Sequence, residues 1–192
     1  MCENKFVRKV LPLKFFNRPT LAIARDLLGK FLVCKTHDEK FAVMITEVEA
    51  YDGPHDKASH AHRGRTKRNE IMFGEAGRWY VYLIYGMYSM LNIVTGPKDY
   101  PAAVLIRGGI VTEGGKWKVK DGKIILNGPG KLTQFLKIDN TLGERRAEKK
   151  SGCWIENRGV KIKKSDIKKS PRIGVEYAKE WAEKPYRFYI DH

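Results

Sequence analysis

Apolar and polar positions along this chain follow two different periods, and the changes of period mark its elements. Leu21, Ile23, Ala24, Leu27 and Leu28 recur at the three- and four-residue spacing of an amphipathic helix. Asn17 is placed to cap that helix, Pro19 suits its first turn, and Gly29 can close it in a left-handed conformation. Residues 31–36 and 41–50 then read as strands around a polar turn at 37–40. On the second strand Val43, Ile45, Glu47 and Glu49 are expected to share one face, because strand side chains alternate. Two carboxylates would thus continue an inward-looking apolar row.

Tyr51-Asp52-Gly53-Pro54 breaks the strand, and residues 55–70 read as a loop. Residues 78–84 and 88–94 predict a hairpin with Gly86 at its tip, followed by a strand over 101–107 apolar enough to be central. Residues 108–126 read as two short strands turning at Asp121-Gly122, which Asn127-Gly128-Pro129-Gly130 follows by opening a helix over 131–137 whose exposed amides can meet a phosphate. Residues 153–156 and 160–163 read as edge strands, 175–182 as a short helix and 186–190 as a closing strand. No repeat, low-complexity tract or linker interrupts this order. It predicts a single mixed domain of sheet and helices spanning residues 1–192.

Composition narrows the function. Hydrophobic residues make up 42% and charged residues 31% of the 192, which suits a packed globular protein. The net charge of +15, from 37 Lys and Arg against 22 Asp and Glu, implies a polyanionic partner rather than a merely solvated surface. Cys2, Cys34 and Cys153 are odd in number and widely spaced, so they show neither a disulfide framework nor a metal-site spacing, and a reducing compartment is expected. No signal-peptide core or membrane-spanning run is present, so a soluble, intracellular protein is expected.

The chemistry concentrates between Thr46 and Asn92. Glu47 and Glu49 lie about 7 Å apart on one strand face, and a buried carboxylate must be paired or reactive. Both can be salt-bridged scaffold residues; a catalytic one would be a general base taking a proton from water. Asp52, His55, Asp56, His60 and His62 form an irregular cluster matching no established metal spacing, so no metal is expected and a pocket-lining histidine fits better. Aromatic residues favour strands, which accounts for Tyr80 and Tyr88 as core. It does not account for Tyr85 and Met87 flanking Gly86, where a hairpin tip is normally polar. An apolar tip on a basic protein suits a wedge between stacked bases, with Tyr51 and Tyr82 sandwiching an extruded base. Arg63, Arg65, Lys67 and Arg68 are a solvated loop or, beside such a site, phosphate contacts.

These residues resemble the alkyladenine (3-methyladenine) DNA glycosylases of base-excision repair. The resemblance runs through residues 16–33, Glu47-Val48-Glu49-Ala50-Tyr51-Asp52-Gly53-Pro54, His60, Arg63-Gly64-Arg65, Arg68-Asn69 and Met72-Phe73. It continues through residues 80–88, Asn92-Ile93, Val104-Leu105-Ile106-Arg107, Gly128-Pro129-Gly130-Lys131-Leu132, Pro171-Arg172-Ile173-Gly174-Val175, Glu180-Trp181-Ala182 and residues 184–189. It implies an α+β fold: one mixed domain with a curved, mostly antiparallel sheet, flanking helices and a protruding, DNA-inserting β-hairpin. It also implies a monofunctional enzyme that hydrolyses the N-glycosidic bond of damaged purines with water as nucleophile, without cofactor or metal.

By the same resemblance, Glu49 is the general base and Arg107 helps position its water. Tyr51, His60 and Tyr82 wall the flipped base, and Asn92 clashes with the exocyclic amine of guanine. Tyr85, flanked by Gly86 and Met87, enters the minor groove. The implied partner is double-stranded DNA carrying damaged purines (3-methyladenine, 7-methylguanine, hypoxanthine or ethenoadenine). A monomer away from membranes is expected, cytoplasmic and nucleoid-associated in a prokaryote or nuclear in a eukaryote. The sequence departs from better-known members in a loop one residue shorter after His60, and in a short, β-like 108–126 segment. The absence of a long N-terminal extension suits a compact prokaryotic form. The competing expectations are a non-enzymatic module that binds damaged DNA or RNA, and a metal-dependent nuclease built on His55, His60 and His62.

Overall fold

The computed structural model describes residues 8–36, 38–114 and 124–191. Its strands are β1 (Lys9–Val10), β2 (Phe31–Lys35), β3 (Lys40–Asp52), β4 (Trp79–Ile84), β5 (Tyr88–Val94), β6 (Ala102–Gly114), β7 (Ile125–Asn127), β8 (Cys153–Asn157), β9 (Lys168–Ser170) and β10 (Arg187–Tyr189), with helices α1 (Thr20–Leu27) and α2 (Pro129–Phe135). The strands join one sheet whose main order is β1-β8-β2-β3-β6-β5-β4, with antiparallel pairing throughout. This is the expected α+β architecture. One face of the sheet carries the main core. There Ile23, Ala24 and Leu27 of α1, Leu132 of α2 and Leu136 just after it pack with Val43, Ile45, Val48, Ala50, Leu91, Ile93, Val104 and Ile106.

The long central pair, β3 with β6, decides where the carboxylates point. Ile45 and Glu47 stand opposite Gly109 and Gly108, so Thr46 is an extra residue on β3; Glu47 and Val48 stand opposite Gly108 and Ile106, so Arg107 is an extra residue on β6. A bulge of one residue reverses the facing of everything after it. Val43 and Ile45 therefore share the core face with Val48 and Ala50, whereas Glu47 and Glu49 turn to the opposite face. This corrects the expected row Val43-Ile45-Glu47-Glu49. The two glutamates do share a face, but not with the apolar residues before them. Glycines make the close approach possible: a Cβ on Gly109 would lie 2.3 Å from the Met44 carbonyl oxygen, and one on Gly108 would lie 2.7 Å from that of Leu126.

Other boundaries differ where pairing overrides local pattern. Pro19, not Asn17, precedes the first turn of α1, while Gly29 takes the expected positive φ of 75°. β6 continues through Gly114, so the first part of the 108–126 segment belongs to a central strand; Asp121-Gly122 lies outside the described residues. β8 is flanked by β1 and β2 and is not an edge, residues 160–163 form no strand, and the expected helix near 175–182 is a kinked 3-10 turn at Glu176–Trp181. Cys34 and Cys153 are register partners across β2 and β8 and are joined in a disulfide. That corrects the expectation of unpaired cysteines and removes the cysteine pattern as an argument for a reducing compartment. Among the described residues no helix is long and apolar enough to cross a membrane.

Candidate active site

Alternate residues of four strands line a cavity of about 700 Å³ on the face opposite α1: Glu49 and Tyr51 from β3, Tyr80, Tyr82 and Ile84 from β4, Met90 and Asn92 from β5, and Ala103, Leu105 and Arg107 from β6. Glu49 has no solvent-exposed surface. Its Oε1 accepts the backbone N–H of Ile173 at 2.9 Å and lies 3.3 Å from Nη1 of Arg107, while its Oε2 accepts the Tyr51 hydroxyl at 2.9 Å. Burial pushes the Glu49 pKa above the usual carboxylate range, against the pull of Arg107, the Ile173 amide and Tyr51. A carboxylate raised in this way is a better proton acceptor than a solvated one, yet three partners still hold its charged form.

The walls are aromatic. Burial raises the Tyr51 and Tyr82 hydroxyls well above the usual range and Tyr80 to about 12, so all three stay neutral donors around neutral pH. The His60 ring meets Tyr82 edge to face at 4.5 Å, and its Nδ1 is 2.9 Å from the Tyr80 hydroxyl. Water lost from its inner side, and then the charge of Arg68, lower the imidazole pKa and favour the neutral ring. Asn92 is buried, and its amide nitrogen donates to the carbonyls of Tyr80 and Met90, which pins the side chain in one pose. Tyr88 corrects its assignment to the core: it is 37% exposed at the mouth of the cavity, packed against Gly130. Tyr80, in contrast, is both buried and pocket-lining.

The hairpin tip is as apolar as expected. Tyr85 and Gly86 both have positive φ, 52° and 69°, the backbone of a tight hairpin turn matched to strand twist. Tyr85 is 86% and Met87 68% exposed. A left-handed backbone at a tyrosine costs about 1–2 kcal/mol, so this ring is displayed at the expense of the fold. The basic loop beside it is divided. All four of Arg63, Arg65, Lys67 and Arg68 are exposed, but Arg65 also pairs with Asp99 at 2.8 Å and covers Phe73, and Arg68 lies over Tyr82 and donates to the Leu83 carbonyl.

The family model for methylpurine-DNA glycosylases matches residues 14–192. The chain belongs to the methylpurine-DNA glycosylase family. Membership places it among the DNA glycosylases, hydrolases of DNA repair. A protein of Methanocella arvoryzae is 47% identical over 186 residues, covering 94% of this chain and 92% of that one. One from Streptomyces avermitilis is 39% identical over 192 residues (96% and 89%), and one from Legionella pneumophila is 43% identical over 180 (94% and 93%). All three carry 3-methyladenine DNA glycosylase as a provisional name.

In this methylpurine-DNA glycosylase family member, the residues that the sequence did not mark are those holding the Tyr51 side of the cavity in place. Asp56 and Arg172 form a fully buried ion pair, and Arg172 also donates to the carbonyls of Ala50 and Trp181 and stacks over Tyr51. Asp56 further accepts the backbone N–H groups of Asp52 and Ala58. This clamp ties the 171–174 segment to the end of β3 and so brings the Ile173 amide to Glu49. Asp56 is committed to Arg172, His60 Nδ1 meets the Tyr80 hydroxyl, and His62 Nδ1 sits 3.0 Å from the Pro54 carbonyl; among the described residues no three His, Cys, Asp or Glu side chains are grouped to hold a metal ion. Asn69 fastens the loop by donating to the carbonyls of His60 and Gly64. Tyr177, 64% exposed, adds an aromatic rim and donates to the Ala58 carbonyl. The only sequence signal for Arg172 was its place in a resembling motif; nothing local marked Asp56 as its partner.

Proposed function

We propose that the protein removes damaged purines from duplex DNA by flipping the nucleotide into the aromatic cavity and hydrolysing its N-glycosidic bond. The observation that carries this reading is Glu49, a fully buried carboxylate of raised pKa at the floor of an aromatic cavity, beside Arg107. A purine between Tyr51, His60 and Tyr82 would place its sugar carbon toward Glu49. Oε2 keeps a lone pair beyond the one engaged by Tyr51, enough to accept a proton from water. The water oxygen bonds to C1′, its proton passes to Glu49, and the electron pair of the C1′–N bond leaves with the base. The ionised Glu49 also opposes the positive charge that develops on the sugar. Alkylated purines already carry the charge that makes them leave; hypoxanthine and ethenoadenine need protonation as they depart. Tyr85 would fill the gap in the duplex, and the pinned Asn92 amide would exclude guanine by its exocyclic amine. Damaged or mispaired nucleotides are easiest to extrude, which adds selectivity.

The test is release of free base from duplexes carrying 3-methyladenine, 7-methylguanine, hypoxanthine or ethenoadenine. Release of at least one, leaving an unbroken strand with an abasic site, is expected. Release of none by folded protein, or strand cleavage through a covalent imine, would overturn the reading.

A further inference from the structure

Arg107 is shared by two carboxylates. Its Nε donates to Oε1 of Glu47 at 3.0 Å, and its Nη1 lies 3.3 Å from Oε1 of Glu49. Arginine normally engages a lone carboxylate through two parallel N–H donors, and such a fork on Glu49 would occupy both of its oxygens. Glu47 prevents that by holding the opposite edge of the guanidinium. Glu47 is itself fixed from the other side: Arg187 of β10 donates through Nε to the same Oε1 at 2.6 Å and through Nη1 to Ser170 of β9 at 3.2 Å. Arg187 is the register partner of Glu49, yet its side chain goes to Glu47. Gly108 leaves the room, since a Cβ there would lie 3.4 Å from Glu47 Oε2 and 2.7 Å from the Leu126 carbonyl.

We propose that Glu47 is a positioning residue for the reaction: anchored by Arg187, it holds Arg107 to a single-point contact with Glu49 Oε1 and so keeps the lone pair of Oε2 that Tyr51 does not engage open to water. The inference rests on Glu49 acting as the base. Without Glu47, Arg107 rotates to fork Glu49, and the cluster of two arginines and two glutamates changes from neutral to a net positive charge. Both effects stabilise the ionised Glu49 and make it a poorer base. The charged and titratable groups around Glu49 among the described residues include Arg107 from β6, Tyr82 from β4, Arg187 from β10 (bound to Glu47), and Glu47 and Tyr51 from its own strand; Glu47 acts to raise the Glu49 pKa and Arg107 to lower it.

The experiment is the pH dependence of single-turnover base release by the wild-type protein and Glu47→Gln, on a duplex the wild type cleaves. Activity is lost as pH falls through the Glu49 pKa, so the acidic limb reports that group. The expected result for Glu47→Gln is a fall in rate on the order of 10²-fold, as for a misplaced reacting group, with the acidic limb moved to lower pH and the affinity for an abasic-site duplex unchanged. An acidic limb that stays in place overturns the proposal, because a scaffold role changes the level of activity and not its titration. If Glu47→Gln does not fold, Arg187→Lys reads the same arrangement by keeping the charge and removing the Nε–H donor. It is expected to lower kcat with KM unchanged, and an unchanged kcat overturns the proposal. A wild-type protein that releases no base from any substrate overturns the glycosylase reading itself, and the positioning role with it.

Discussion

The backbone N–H of Ile173 donates to Oε1 of Glu49 across 124 positions of sequence, and the ion pair that holds it there, Arg172 with Asp56, has no exposed side-chain surface. A glutamate buried this deeply stays ionisable only because its partners arrive pre-oriented. The proposed base therefore depends on a clamp that never faces the cavity.

Breaking that clamp from one side leaves a buried charge without its counterion, which costs about 3–5 kcal/mol. Asp56→Ala and Arg172→Ala are each expected to lose that much in urea unfolding. Their double mutant should lose far less than the sum.

Glu49→Gln is expected to lower base release by roughly 10²–10⁴-fold, the range for a general base, while sparing DNA binding. Its stability should move the other way. The folded-state pKa of Glu49 is raised, so the folded chain holds this proton more tightly than the unfolded chain. That stability is present at low pH and is lost as pH rises from the ordinary glutamate value through the raised one. Glu49→Gln should therefore melt higher than wild type at neutral pH, and the difference should vanish in acid. A melting series across pH checks the sign.

Tyr85→Gly separates display from folding. Glycine accepts the positive φ at no steric cost, so unfolding stability should hold or rise by about 1 kcal/mol. If Tyr85 inserts into the duplex as proposed, loss of its ring should weaken binding to a lesion-containing duplex, with stacking worth roughly 1–3 kcal/mol. Equal binding by the variant would leave the tip without a role on DNA.

Gly109→Ala tests the double bulge. Its Cβ meets the Met44 carbonyl oxygen at 2.3 Å and Val43 Cγ1 at 2.5 Å, and backbone has little freedom to yield. The expected loss is about 1–3 kcal/mol in unfolding stability, together with base release, because β3 and β6 can no longer present Glu49 and Arg107 together.

The sequence alone determined the elements whose signals are local. The spacing of Ile23, Ala24 and Leu27 made a helix, and the aromatic alternation around Gly86 made a hairpin with an exposed tip. Glu47 and Glu49 could be placed on one face because alternation survives within any unbroken stretch of strand; that Tyr51 continues the same strand emerged only from its pairing with β6. Tertiary structure decided which face that was. The extra residues Thr46 and Arg107 exist only as a mismatch between two paired strands, and neither strand records it by itself. The same holds for Cys34 with Cys153 and Asp56 with Arg172, 119 and 116 residues apart: each residue type is ordinary where it stands, and only folding brings its partner to it.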